Sequence, residues 1–151
     1  MYALNASTGA QLWSYATGGS VTSSPAVANG VVYVGSYDGN VYALNANTGA
    51  LLWSYATGGE VYSSPAVANG VVYFGSPDNN VYALNASTGA KVWSFVPSEP
   101  QGSGIPVEIQ YSGPAVTDGV VYIGGGGGNI YALNASTGAM LWSYPSQTPK
   151  R

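Results

Sequence analysis

Four copies of one short phrase govern what this chain can become. Met1-Tyr2-Ala3-Leu4-Asn5 returns as Val41-Tyr42-Ala43-Leu44-Asn45, then as Val81-Tyr82-Ala83-Leu84-Asn85, and again as Ile130-Tyr131-Ala132-Leu133-Asn134, at spacings of 40, 40 and 49 residues. Residues 1–40 and 41–80 agree at about 32 of 40 positions. So close a match points to recent duplication or deliberate design. Units this alike fold alike, and a unit of 40 residues shelters its apolar surface only by leaning on its neighbours.

Within one period the strand signals alternate with turn chemistry. Ser64-Pro65-Ala66-Val67-Ala68 predicts a short strand, and Asn69-Gly70 after it suits a two-residue hairpin whose central residues both need positive φ. Val71-Val72-Tyr73-Phe74-Gly75 follows, rich in β-branched and aromatic residues, then a turn at Asp78-Asn79-Asn80. Val81 to Asn85 is a third strand, Ala86-Ser87-Thr88-Gly89 a turn, and Lys91-Val92-Trp93-Ser94-Phe95 a fourth strand. No window has the helical period. Four short antiparallel strands per period is the pattern of a β-propeller blade, so the expected class is all-β. A solenoid of hairpins is the competing architecture. Blades are preferred because three tight hairpins close each period into a small sheet of its own, which covers both faces only by stacking.

Every period also holds Ala-x-Asn-x-x-x-Gly-x-x-x-Trp: Ala3, Asn5, Gly9, Trp13; Ala43, Asn45, Gly49, Trp53; Ala83, Asn85, Gly89, Trp93; and Ala132, Asn134, Gly138, Trp142. This closely resembles the tryptophan-docking motif of the pyrroloquinoline quinone (PQQ)-like repeat family, which includes quinoprotein alcohol dehydrogenases and the outer-membrane assembly lipoprotein of Gram-negative bacteria. The family commonly has Asp where this chain has Asn. The resemblance implies blades that begin with a Ser-Ser-Pro-Ala strand nearest the axis and end with the Trp strand outside. On that phasing residues 20–57, 60–97 and 103–145 are complete blades, 1–17 are the outer half of another, 96–111 hold an insertion and 146–151 are a tail. The chain then carries about three and a half blades, against about four to eight in closed rings and usually seven or eight in this family. Two explanations stand. The chain is a piece of a longer gene or a designed fragment, with Met1 where the other copies have Val or Ile. Alternatively two chains complete one ring, three full blades and a partial one from each filling eight angular positions. A homodimer is expected, because an open arc leaves an apolar blade face at each end.

Composition narrows the function classes. Only 6% of the 151 residues are charged, the net charge is -3, and Lys91, Lys150 and Arg151 are the only cations. No basic patch is available for a phosphate backbone, so no nucleic-acid partner is expected. There is no Cys and no His, which removes thiolate and imidazole metal ligands, Cys nucleophiles and the usual Ser-His pair. No apolar run is long enough for membrane insertion and no basic-then-apolar leader precedes the first repeat, so no export signal of the usual kind is expected. A surface rich in Tyr, Ser, Thr, Asn and Gly inclines toward the cell envelope or secretion.

The repeated side chains read as structure before chemistry. Trp13, Trp53, Trp93 and Trp142 could stack a ligand, but four indoles at one repeat position on an outer strand are expected to pack between blades, each N–H tied to a neighbouring carbonyl. Tyr33, Tyr42, Tyr73, Tyr82, Tyr122 and Tyr131 take the same reading. Tyr37 and Tyr62 differ between copies and lie near loops, which makes them candidates for a contact surface. Asp38 and Asp78 offer one carboxylate per turn, which suits an Asx turn better than a calcium loop. Residues 124–128, all Gly, run into a strand, so a hairpin is expected rather than a phosphate cradle. Asn5, Asn85 and Asn134 match the N-glycosylation sequon, yet they belong to the docking turn.

The insertion at 96–111 breaks the repeat and marks Pro97, Glu99, Pro100, Gln101, Ile105, Pro106 and Glu108 as a possible interaction loop, against the plainer reading of a tolerated loop insertion. No catalytic, cofactor-binding or metal residue is assigned. The resemblance to quinoproteins would imply a calcium–quinone site with acidic ligands, a Trp floor and usually an adjacent-cysteine ring, but no residues here match it, and near-interchangeable blades do not make a catalytic centre. The expected function is a non-catalytic, self-associating propeller scaffold that presents a face to protein or glycan. The alternative is a fragment of a dehydrogenase-like propeller without its cofactor site.

Overall fold

The computed structural model describes residues 1–97, 109 and 111–144. Strands β1 (Tyr2–Leu4) and β2 (Gln11–Ser14) form a two-stranded sheet. Three four-stranded sheets follow. The first contains β3 (Ala26–Ala28), β4 (Val31–Gly35), β5 (Asn40–Asn45) and β6 (Leu51–Ala56). The second contains β7 (Ala66–Ala68), β8 (Val71–Gly75), β9 (Val81–Asn85) and β10 (Lys91–Phe95). The third contains β11 (Ala115–Thr117), β12 (Val120–Gly124), β13 (Ile130–Asn134) and β14 (Met140–Tyr144). Each sheet pairs its strands antiparallel and in chain order. The fold is an all-β propeller segment of about three and a half blades, as the repeat led one to expect.

Turn chemistry sets the register. Asn29 and Gly30 have φ of 50° and 75°, and Asn69-Gly70 and Asp118-Gly119 repeat the pair, the geometry a two-residue hairpin between right-twisted strands requires. Tyr33 consequently faces Ala43, and Tyr73 faces Ala83. A register shift recurs where the third strand meets the fourth, between Ala43 and Leu44 in the first full blade, and it adds local twist. The Gly run closes as a 3-10 turn, Gly126–Gly128, with the Gly125 N–H donating to Asn129 O.

The core is a series of layers between sheets. Met1, Ala3, Trp13 and Tyr15 of the half-blade meet Val32, Val34, Tyr42 and Leu44. Tyr33, Val41, Ala43 and Trp53 meet Val72, Phe74, Tyr82 and Leu84 in the next layer, and Tyr73, Val81, Ala83 and Trp93 meet Val121, Ile123, Tyr131 and Leu133 in the third. Inner strands approach directly: Ser24 N–H donates to Ser64 Oγ, and Ser63 Oγ donates to Ser112 O. Toward the outer strands the indoles of Trp13, Trp53 and Trp93 bridge to the next blade.

Each end of the arc shows the face that its neighbours hide. Leu44 and Leu84 are fully buried, whereas Leu4 at the same repeat position is 57% exposed. Trp13 and Trp93 are 8% exposed and Trp142 is 48% exposed. Of the insertion, Val96, Pro97, Ile109 and Tyr111 are described. Glu99, Pro100, Gln101, Ile105, Pro106, Glu108 and the tail at 146–151 lie outside the described residues.

Two glycines with similar backbones separate turn strain from packing. Gly70 (φ +76°) has nothing within 4 Å of an added Cβ, whereas Gly89 (φ +72°) would place one 2.8 Å from the Trp53 ring. Gly70→Ala should cost about 1 kcal/mol, and Gly89→Ala roughly 2–4 kcal/mol because overpacking adds to the φ penalty. Equilibrium denaturation of the two variants checks the difference.

Candidate functional site

The repeated motif assembles a joint between blades. Asn45 Oδ1 accepts the N–H groups of Asn47 and Thr48, and Asn5, Asn85 and Asn134 do the same in their own turns. The Asn in place of the family's Asp keeps this role, since one acceptor oxygen takes both bonds. The turn presents a left-handed glycine, on which the preceding blade's indole lies: Gly49 against Trp13, Gly89 against Trp53, Gly138 against Trp93. Trp13 Nε1 donates to Ala46 O at 2.8 Å, and Trp53 and Trp93 donate to Ala86 O and Ala135 O at 2.9 Å. Tyr33 and Tyr73 add hydroxyl bonds to those last two carbonyls. Tyr122 and Trp142 keep the same mutual geometry, ring centroids 6.0 Å apart against 5.8 and 5.9 Å in the buried pairs. Ala3, Ala43, Ala83 and Ala132 sit behind the indoles as their cross-strand partners.

A second joint lies on the opposite rim, where the second-to-third-strand turns meet the connections between blades. Asp38 Oδ1 accepts the Asn40 N–H and forms the Asx turn, while Oδ2 accepts from Tyr42 Oη at 2.7 Å and from the Gly18 N–H of the preceding connection at 2.7 Å. Asp78 repeats this with Asn80, Tyr82 and Gly58. Burial pushes both carboxyls up, but the bonds from Tyr, Asn and Gly outweigh it and hold them below the usual range. Burial and the adjacent carboxylate push Tyr42 up to about 12, and Tyr82 rises for the same reasons.

The third full blade lacks this joint. Gly127 stands four residues before Tyr131, where Asp38 and Asp78 precede Tyr42 and Tyr82, and the insertion replaces the Thr-Gly-Gly connection. Among the described residues no carboxylate reaches the buried Tyr131 hydroxyl, which has the Asn129 side chain beside it, and Ser76 Oγ, in the turn facing the same junction, has no hydrogen-bond partner. The Asp-x-x-x-Tyr spacing was the signal for this joint, and sequence reasoning that stopped at the Asx turn missed its reach to the preceding connection.

The same rim carries an aromatic row across three blades. Tyr37 meets Tyr62 edge-on at 4.6 Å and 78°, and Tyr62 meets Tyr111 at 5.4 Å and 30°. Tyr62 Oη donates to the Glu60 carboxylate. Tyr37 and Tyr62 are half-buried, and Tyr111 is 72% exposed. Tyr111 was not singled out from sequence. Its signal is that Ser63 and Ser112, which accept the Gly75 and Gly124 N–H groups, align it with Tyr62.

These residues do not fit a calcium–quinone site. The two turn carboxylates are turned into hydrogen bonds within separate junctions, and among the described residues no three His, Cys, Asp or Glu side chains converge. Among the described residues the exposed features are apolar end faces and a tyrosine row beside one carboxylate.

A family model described as "Outer membrane protein assembly factor BamB" matches residues 1–151. Among solved structures, BamB from Moraxella catarrhalis is 25% identical with a TM-score of 0.74, the match covering 91% of this chain and 40% of that one. Quinohemoprotein alcohol dehydrogenase from Comamonas testosteroni is 30% identical (TM-score 0.72; 83% of this chain, 21% of that one). A europium-containing methanol dehydrogenase is 28% identical (TM-score 0.75; 91% and 27%). The chain thus spans two fifths or less of the length of each. No curated protein matches it.

The carboxylate joint predicts unequal costs for one chemical change. Tyr82→Phe, which strips a 2.6 Å bond from Asp78, should destabilise the fold by about 1.5–3 kcal/mol, whereas Tyr131→Phe should cost less than about 1 kcal/mol because among the described residues its hydroxyl bonds no carboxylate. Paired urea titrations distinguish them.

Proposed function

Given that the chain belongs to the PQQ-like β-propeller family whose model is described as the outer membrane protein assembly factor BamB, we propose that it acts as a non-catalytic scaffold. In this reading two copies join head to tail to complete a ring and present one rim as a binding surface for a protein or glycan. The observation that carries it is the match between the two end faces. At the far end, Tyr122 and Trp142 hold the geometry that elsewhere grips a carbonyl and a glycine of the next blade. At the near end, Gly9 has the left-handed φ of the docking glycines and nothing within 4 Å of its Cβ position. Seating Trp142 of one copy on Gly9 of the other, with the indole N–H on Ala6 O, repeats the three joints already present in the chain. Val27, 66% exposed beside the half-blade, lies in the same uncovered region. A two-fold arrangement makes this joint twice and leaves neither face open.

Near-identical blades support the absence of catalysis, since a reaction centre requires different groups at defined places. A cell-envelope location is part of the proposal and rests on the family description. No helix of the described residues is long and apolar enough to cross a membrane.

Light scattering at micromolar concentration should return twice the 15.4 kDa chain mass. Trp142→Ala should weaken association at least about tenfold, as expected for an aromatic anchor at the centre of an interface. A monomeric mass for the unaltered chain would overturn ring completion.

A further inference from the structure

The two 40-residue periods differ at eight positions, and four of them (Ser20/Glu60, Thr22/Tyr62, Tyr37/Pro77 and Gly39/Asn79) fall in the connections of a single rim. The docking-motif residues and the Asp and Asn of the Asx turn repeat unchanged in these two periods, while the connections of this rim have diverged. The divergence is not scattered there. It brings Tyr37, Tyr62 and Tyr111 into one row spanning three blades, with ring centroids 4.6 and 5.4 Å apart and the Glu60 carboxylate on the Tyr62 hydroxyl.

Charge selects what such a row would hold. Asp38, Asp78 and Glu60 all lie on this rim, and its described residues include no Lys or Arg. Lys91 opens β10 beyond the turn at Gly89, on the other rim. A π-face beside a carboxylate in a negative field attracts a cation and repels an anion. Arginine fits better than lysine, because its flat guanidinium lies along a tyrosine ring while its fork reaches a carboxylate. The Tyr62 hydroxyl occupies one oxygen of Glu60 and leaves the other to accept. With one well-exposed ring, the described row offers a sugar a single stacking face, whereas the carboxylate beside it favours a cation.

We propose that Tyr37, Tyr62, Tyr111 and Glu60 form a docking site for an arginine side chain presented by an extended basic segment of a partner protein. This deepens the binding half of the preceding reading and leaves ring completion aside. Tyr111 supplies the open ring face, Tyr62 backs it at a 30° tilt with Tyr37 edge-on behind Tyr62, and Glu60 neutralises the guanidinium.

The test is calorimetric titration of the whole chain with a capped Gly-Arg-Gly-Arg-Gly peptide. Parallel titrations use the same peptide with citrulline for arginine, and cellotriose as a neutral saccharide. Saturable binding of the arginine peptide alone is expected, weakened by added salt. Tyr111→Ala and Glu60→Gln should each weaken it by about fivefold; both change rim residues outside the core, so both variants should fold. Failure of the arginine peptide to bind, equal binding of the citrulline peptide, or indifference to both substitutions would overturn the proposal. Cellotriose binding lost in Tyr111→Ala would also overturn it, in favour of a saccharide. Light scattering on the same samples keeps the two readings apart: a dimer that ignores the peptide removes the arginine site alone, and a monomer that binds it removes only the ring.

Discussion

Everything in this fold depends on an indole lying on a glycine one blade away. Trp13, Trp53 and Trp93 each cover a left-handed Gly and donate to the carbonyl after a turn-forming Asn. Burying a tryptophan removes on the order of 150–250 Å² from water, roughly 4–6 kcal/mol as an upper bound. No four-stranded sheet of this size reaches comparable stability with both faces wet. The glycine is needed twice over, for its φ and for the missing Cβ that lets the ring approach. The asparagine fixes the turn that brings both into place. Each motif residue therefore acts on the neighbouring blade more than on its own.

That division explains where function can reside. Residues committed to stacking repeat almost without change, and their polar groups are consumed: Asn by backbone N–H groups, Asp38 and Asp78 by Tyr and Gly, Tyr33 and Tyr73 by carbonyls. The oxygens so engaged are committed to the fold before any ligand arrives. What remains is the set of positions where copies differ, and on the rim of Asp38 these include the tyrosine row. The junction ahead of the last blade departs furthest, since it has neither the carboxylate nor the Thr-Gly-Gly connection, and among the described residues Tyr131 Oη meets no carboxylate there and Ser76 Oγ has no partner.

Much of the fold was legible because it is locally encoded. Asn-Gly pairs dictated the hairpins, apolar and β-branched runs the strands, and the return of three hairpins per period separated blades from a solenoid. Contacts between blades were harder to read, because they join residues whose relation depends on how sheets stack. Asp38 bonds Gly18 twenty residues away, and neither residue signals the other. Around the insertion, simple alignment also slips. Counting back from Ser112 puts Gln110 at the Val61 position, yet Ile109 packs on Gly75 as Val61 packs on Gly35. The row ending at Tyr111 was hidden by that same irregularity.

If stability resides in the joints, it must grade along the arc. Hydrogen exchange across a series of protein concentrations measures this directly. At low concentration β8 and β9, covered on both faces, should exchange far more slowly than β1 and β14, and raising the concentration should protect β1 and β14 selectively. Uniform protection in all four sheets, unchanged by concentration, would show that each blade sustains itself and would contradict the account.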